Sequence, residues 1–141
     1  MPLYAYLTQL HTLDVLADTI VPFTGPALYS EDVTLPADGQ ISLPRAGVFK
    51  VEYKVNIPSG AVAQNLGFVV QVDGENVAGT ETHMNLTQPI SRNTAMGTMM
   101  GAQAIFEVNG PAIVTLVALH DAHLTMPSEN DAVASITLTE L

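Results

Sequence analysis

Residues 45–57, RAGVFKVEYKVNI, and residues 64–79, QNLGFVVQVDGENVAG, decide the fold. In the first stretch Phe49, Val51, Tyr53, Val55 and Ile57 fall on one side of an extended chain, and Lys50, Glu52, Lys54 and Asn56 on the other. Side chains alternate between the faces of a strand, so this period of two describes a half-buried antiparallel strand and excludes an amphipathic helix. In the second stretch Leu66, Phe68, Val70 and Val72 share a face. The Asp73-Gly74 pair that follows supplies the positive-φ positions of a tight turn.

Outward from this centre, Pro and Gly recur roughly every eight to twelve residues, the spacing of an all-β sandwich or barrel, and no stretch has a convincing helical period. Strands are predicted over 3–9, 18–23, 28–35, 40–43, 48–57, 64–73, 75–84, 95–108, 112–120 and 133–141. Between them, Ala37-Asp38-Gly39 and Pro44-Arg45-Ala46-Gly47 offer a pre-set φ at proline and positive φ at glycine. Asn109-Gly110 is the strongest two-residue hairpin signal and is expected to join 103–108 to 112–119. In the closing strand Ala134, Ile136 and Leu138 alternate with Ser135, Thr137 and Thr139. The chain has no Gly-X-Y run, heptad or tandem repeat.

A chain of 141 residues is one domain's worth and can close a two-layer β core without disulfides or metal. Cysteine is absent, which removes disulfide scaffolds, thiolate zinc sites and thiol nucleophiles. Acidic residues outnumber basic ones 14 to 4, and the cations are Arg45, Lys50, Lys54 and Arg92 alone. With no basic stripe to neutralise phosphates, neither nucleic acid nor an anionic membrane is an expected partner. Apolar residues make up 48% and charged ones 13%, with a mean hydropathy of +0.29, so part of the surface is expected to be covered by copies of the same chain. Residues 1–23 are apolar but lack a basic leader region and carry Asp14 and Asp18, so they read as neither signal peptide nor membrane span. A strand beginning directly after Met1 suits either an artificial boundary or a domain cut from a longer protein.

Four blocks in order, LYAYLTQL with IVPF (3–10 and 20–23), AGVFKVEYKVN (46–56), LGFVVQVDGENVAG (66–79) and ASITLTEL (134–141), carry a resemblance over nearly the whole chain. Together they resemble the C-terminal domain of the Bacillus exosporium collagen-like glycoproteins, which belong to the tumour-necrosis-factor-like and complement-head-like jelly rolls. The resemblance implies a single ten-stranded jelly-roll sandwich that forms a compact homotrimer. It further implies the head of a longer collagen-like protein, which nucleates stalk trimerisation and presents the contact surface of a spore, at the exosporium or otherwise outside the cell. A receptor- or glycan-binding tip of a phage or cell-surface fibre shares that fold and trimer, with a host or surface protein or glycan as partner. The absence of Trp and an aromatic content of 6% argue against strong sugar stacking. A secreted cytokine-like ligand is a third reading, which needs a dedicated receptor and an export signal.

Individual side chains support little chemistry. His120, Asp121 and His123, with Glu129 and Asp131 beyond, mix imidazoles that suit zinc with carboxylates that suit calcium. His-Asp-x-His lacks the register of a two-histidine helical motif and fixes no third ligand, so a solvated acidic loop is the favoured reading and no metal or cofactor is expected. Asn85-Leu86-Thr87 matches a glycosylation acceptor, a pattern common by chance. Met84, Met96, Met99 and Met100 read as gap fillers in a core or subunit contact before they read as a binding surface. For the trimer interface the expected residues are Tyr4 and Tyr6 on one strand face, Lys50, Glu52 and Lys54 alternating outward, and Ile105 and Glu107. The charges are either the wet face of a monomer or, with Glu107 or Glu140 of a neighbour, pairs that fix subunit register. No Gly-x-Ser-x-Gly elbow, phosphate-cradling glycine loop or His-Glu-x-x-His is present, and an enzyme is not expected.

Overall fold

The computed structural model describes residues 1–58, 61–86, 98–126 and 132–141, and among them every regular element is a strand. Five strands build one antiparallel sheet in the order β10 (Thr98–Val108), β6 (Gly47–Ile57), β13 (Ala134–Glu140), β1 (Tyr4–Gln9) and β4 (Ala27–Tyr29). The second sheet runs β3 (Thr19–Ile20), β11 (Ala112–Ala118), β7 (Gln64–Val72) and β8 (Glu75–Asn76), with β5 (Ile41–Leu43) on β11 and β9 (Thr82–Leu86) on β7. A small ladder pairs β2 (Leu13–Val15) with β12 (Ala122–Leu124). The result is an all-β jelly-roll sandwich.

Alternation in β6 falls as its sequence dictates. Phe49, Val51, Tyr53, Val55 and Ile57 are all buried, while Lys50 and Lys54 are exposed. Registered neighbours extend the inner face sideways: Tyr53 stands opposite Ala102 on β10 and Ile136 on β13, and Ile136 opposite Leu7 on β1. Facing them across the sandwich are Leu66, Phe68, Val70, Val114 and Leu116. Burial of these side chains at roughly 1.5–3 kcal/mol each is the main force holding the two sheets together.

Tyr53 also ties the sheets by hydrogen bonds. Its hydroxyl donates to the Thr80 carbonyl at 2.6 Å and shares a 2.7 Å bond with Thr82 Oγ1. Desolvation by burial raises the phenol above the usual tyrosine range, with Thr82 partly opposing and the charge of Glu81 adding to it. At one end of the sandwich the Arg45 guanidinium donates to the Met1 carbonyl at 2.9 Å and to Glu140 Oε1 at 2.7 Å, and the same carboxylate oxygen accepts from the Leu3 amide. Both chain ends are therefore held side by side.

The ten predicted strands resolve into thirteen among the described residues. The 75–84 segment divides into β8 and β9 because the chain turns at Val77–Thr80, with Gly79 at φ 87°. The 28–35 segment shortens to β4 because a turn closes from Ser30 to Val33. Asp73 and Gly74 both take positive φ, 50° and 84°, and form the tight turn between β7 and β8 as expected. The Asn109-Gly110 hairpin is a correction. β10 pairs over its whole length with β6, from Thr98↔Ile57 to Val108↔Gly47, whereas β11 pairs with β7, β5 and β3. Asn109-Gly110 instead carries the chain from one sheet to the other. Residues 95–97 of the predicted 95–108 strand lie outside the described residues, as does Met96.

Candidate functional site

The outer face of the five-stranded sheet collects all seven residues expected at a subunit interface. Registered rows show how. Gln103, Glu52, Thr137, Tyr6 and Leu28 stand side by side from β10 to β4, and the next row is Ile105, Lys50, Thr139 and Tyr4. Lys54 lies between Gly101 and Ser135, and Glu107 opposite Val48. Residues directly opposite across an antiparallel pair project from the same face, so these rows form one continuous surface.

That surface is apolar for an outer face. Ile105 is 65% exposed and Leu28 64%, and Tyr4, Tyr6, Val48 and Met99 are exposed beside them. The two lysines stand amid this apolar ground, and no carboxylate among the described residues lies within ion-pair distance of either. A shallow cavity opens between Lys50, Gln103, Ala104 and Ile105. An apolar face carrying Lys50 and Lys54 beside Glu52 and Glu107, none of them ion-paired among the described residues, suits a protein surface that brings its own apolar side chains and charges of both signs. Of the methionines read together in the sequence, Met100 packs in the core and Met84 against it, while Met99 joins this exposed face.

Among the described residues of the histidine–acid cluster, His120, Asp121 and His123 take separate partners. Asp121 Oδ1 accepts the Ala17 amide at 2.8 Å, and His123 Nδ1 lies 2.7 Å from Asp14 Oδ1 on the facing strand β2. Gln64 fixes His123 further, accepting from its amide at 2.8 Å and donating to its carbonyl at 3.0 Å. Glu129 and Asp131 lie outside the described residues, as does Thr87 of the glycosylation pattern. Among the described residues no group of three or more His, Cys, Asp or Glu side chains is arranged to hold a metal ion. His120 turns away from its sequence neighbours and faces His83 of β9, with ring centroids 6.3 Å apart.

Sequence reasoning missed the β2–β12 ladder and the His83–His120 pair. Leu13-Asp14-Val15 and Ala122-His123-Leu124 each show an apolar–polar–apolar triplet, too short to stand out from a loop. For the histidines the available signal was Gly67 inside a strand, which marks a close approach from neighbouring groups.

No helix among the described residues is long and apolar enough to cross a membrane. No family model matches the chain, and no curated protein sequence matches it. Among solved structures, murine APRIL at pH 5.0 shares the fold over 100% of both chains, with a TM-score of 0.66 and 11% sequence identity.

Proposed function

We propose that this chain is a non-catalytic, trimer-forming jelly-roll head whose work is assembly and display. In this reading it is the outermost part of a collagen-like filament at a spore surface, and its partner is two further copies of itself. One observation carries the reading: the outer face of the five-stranded sheet presents Tyr4, Tyr6, Leu28, Met99 and Ile105 to solvent in registered rows, around Lys50 and Lys54. A patch of this kind is costly to leave wet. An obligate interface of about 2,000 Å² or more represents tens of kcal/mol of gross apolar burial at roughly 25 cal/mol per Å², before association and ordering costs. The acidic balance of the chain then concentrates on the remaining surface, where it favours solubility over further association.

Side-chain footprinting tests this reading. Tyr4 and Tyr6, each 43% exposed in the protomer, are expected to label far more slowly than Tyr29 at the edge, 44% exposed, which serves as internal comparison, and to stay protected on dilution. Labelling of Tyr4 and Tyr6 that stays at the protomer level at every concentration contradicts it.

A further inference from the structure

His83, His120 and Gly67 form an arrangement that the assembly reading does not use. His83 on β9 stands directly opposite Gly67 on β7, and on the other side of Gly67 its carbonyl accepts the Leu119 amide, next to His120. Leu66 and Phe68 point into the core, so the Gly67 position faces outward. A side chain there would be crowded: a Cβ on Gly67 would lie 3.2 Å from His83 Nδ1 and 3.3 Å from His120 Cδ2, the carbon bonded to Nε2. The gap left by the missing side chain is bordered by His83 Nδ1, Leu119 Cβ and the Cδ2 edge of His120.

On its other side His83 Nε2 lies 3.4 Å from Glu81 Oε2, an ion-pair distance, while Nδ1 is the ring nitrogen on the side of the gap. A carboxylate behind an imidazole is the arrangement that orients histidine ligands in metal sites and raises their basicity. An ion bound at about 2.0–2.1 Å sits roughly 3.2 Å from an imidazole centroid, so two rings sharing one tetrahedral ion are about 5 Å apart. The rings here are 6.3 Å apart, and both are on exposed side chains, so binding an ion requires them to close by about 1 Å through rotation.

We propose that the gap over Gly67 is a two-histidine site for a divalent transition-metal ion of the zinc, nickel or copper class. His83 Nδ1 and His120 Nε2 are the protein ligands, Glu81 is the carboxylate behind His83, and water completes the coordination. Imidazole nitrogen selects this class over calcium or magnesium, which take oxygen ligands. With two protein ligands the site is open and exchangeable, a place where an ion can be captured at the surface or shared with a donor from another molecule.

The test is titration calorimetry of the tag-free chain with zinc chloride and with nickel chloride. Wild type is expected to bind one ion per chain. His83→Ala and His120→Ala are each expected to weaken binding tenfold or more, and Glu81→Gln by severalfold, less than the about 10–100-fold typical of hydrogen-bonded outer partners because Glu81 stands at 3.4 Å. Gly67→Ala fills the gap and removes binding. His123→Gln removes a different exposed imidazole and leaves affinity unchanged, which separates a built site from adventitious binding by any histidine. Circular dichroism and a melting scan of each variant confirm that the fold persists. The proposal is overturned if wild type takes up no ion at millimolar metal, if His83→Ala and His120→Ala both keep wild-type affinity, or if His123→Gln weakens binding as much as they do.

Discussion

Replacing Ile105 by Glu pulls fold stability and assembly in opposite directions. Ile105 lies on β10, the edge strand of the five-stranded sheet, is 65% exposed, and stands opposite Lys50 on β6. In the isolated protomer the substitution leaves the core intact and creates an opposite-charge cross-strand pair, worth roughly 0.2–1 kcal/mol. In the assembly it removes an apolar contact. Full burial of an isoleucine contributes about 1.5–3 kcal/mol, and about two-thirds of this side chain is open to be buried, so the loss is roughly 1–2 kcal/mol per subunit. A carboxylate taken out of water with only partial compensation adds several kcal/mol more. Summed over three subunits, the variant is expected to dissociate at concentrations where wild type stays assembled. Its protomer is expected to melt no earlier than a dissociated wild-type protomer. Sedimentation velocity over a dilution series, paired with thermal melts at low concentration, reads both effects. A variant that keeps the wild-type assembly down to the lowest concentration refutes the assignment of this face.

Two further outcomes concern the core and its turns. Tyr53→Phe orphans the Thr80 carbonyl and the Thr82 hydroxyl inside the sandwich and is expected to cost about 2 kcal/mol, read by denaturant unfolding. The phenol is raised in the folded chain above its unfolded value near 10, so its protonated form is favoured by folding. That contribution is complete below the unfolded value and is lost as pH rises through the folded one. Wild type should therefore destabilise in strong alkali more steeply than Tyr53→Phe, and parallel alkaline profiles would contradict this. Gly39→Ala and Gly74→Ala share a positive φ, 83° and 84°, yet a Cβ on Gly39 lies 2.3 Å from the Val21 carbonyl oxygen while one on Gly74 meets nothing. The first is expected to lose several kcal/mol and the second about 1 kcal/mol in urea unfolding, and equal losses would refute the steric argument.

How far the chain could be read before its structure depended on the range of the signal. Alternation in Val48–Ile57 is a local pattern enforced by one buried face, and it held residue by residue. The Asp73-Gly74 turn is also local, since two positive-φ residues joining two strands fix their own geometry. Asn109-Gly110 carries the same local signal but obeys a different constraint. Phe106 stacks on Phe49 at 5.9 Å and its strand is zipped to β6, so the chain reaches Pro111 already committed to the other sheet. Pairing partners far apart in sequence outweighed the turn preference there. Tyr4, Tyr6, Lys50, Glu52, Lys54, Ile105 and Glu107 could be placed on one face because each alternates with inward-facing residues of its strand, whereas Leu28 lies in β4, where all three residues are exposed and no alternation marks a face. The His83–His120 pair was not legible, because two strands and a glycine bring those rings together and no spacing along the chain encodes it.

The most direct test of the central claim is absolute mass in solution by light scattering over a dilution series into the micromolar range. The account predicts a single species at three times the 14.9 kDa protomer, stable on dilution. A monodisperse 14.9 kDa species at micromolar concentration contradicts it, and the exposed apolar face would then belong to a different protein partner.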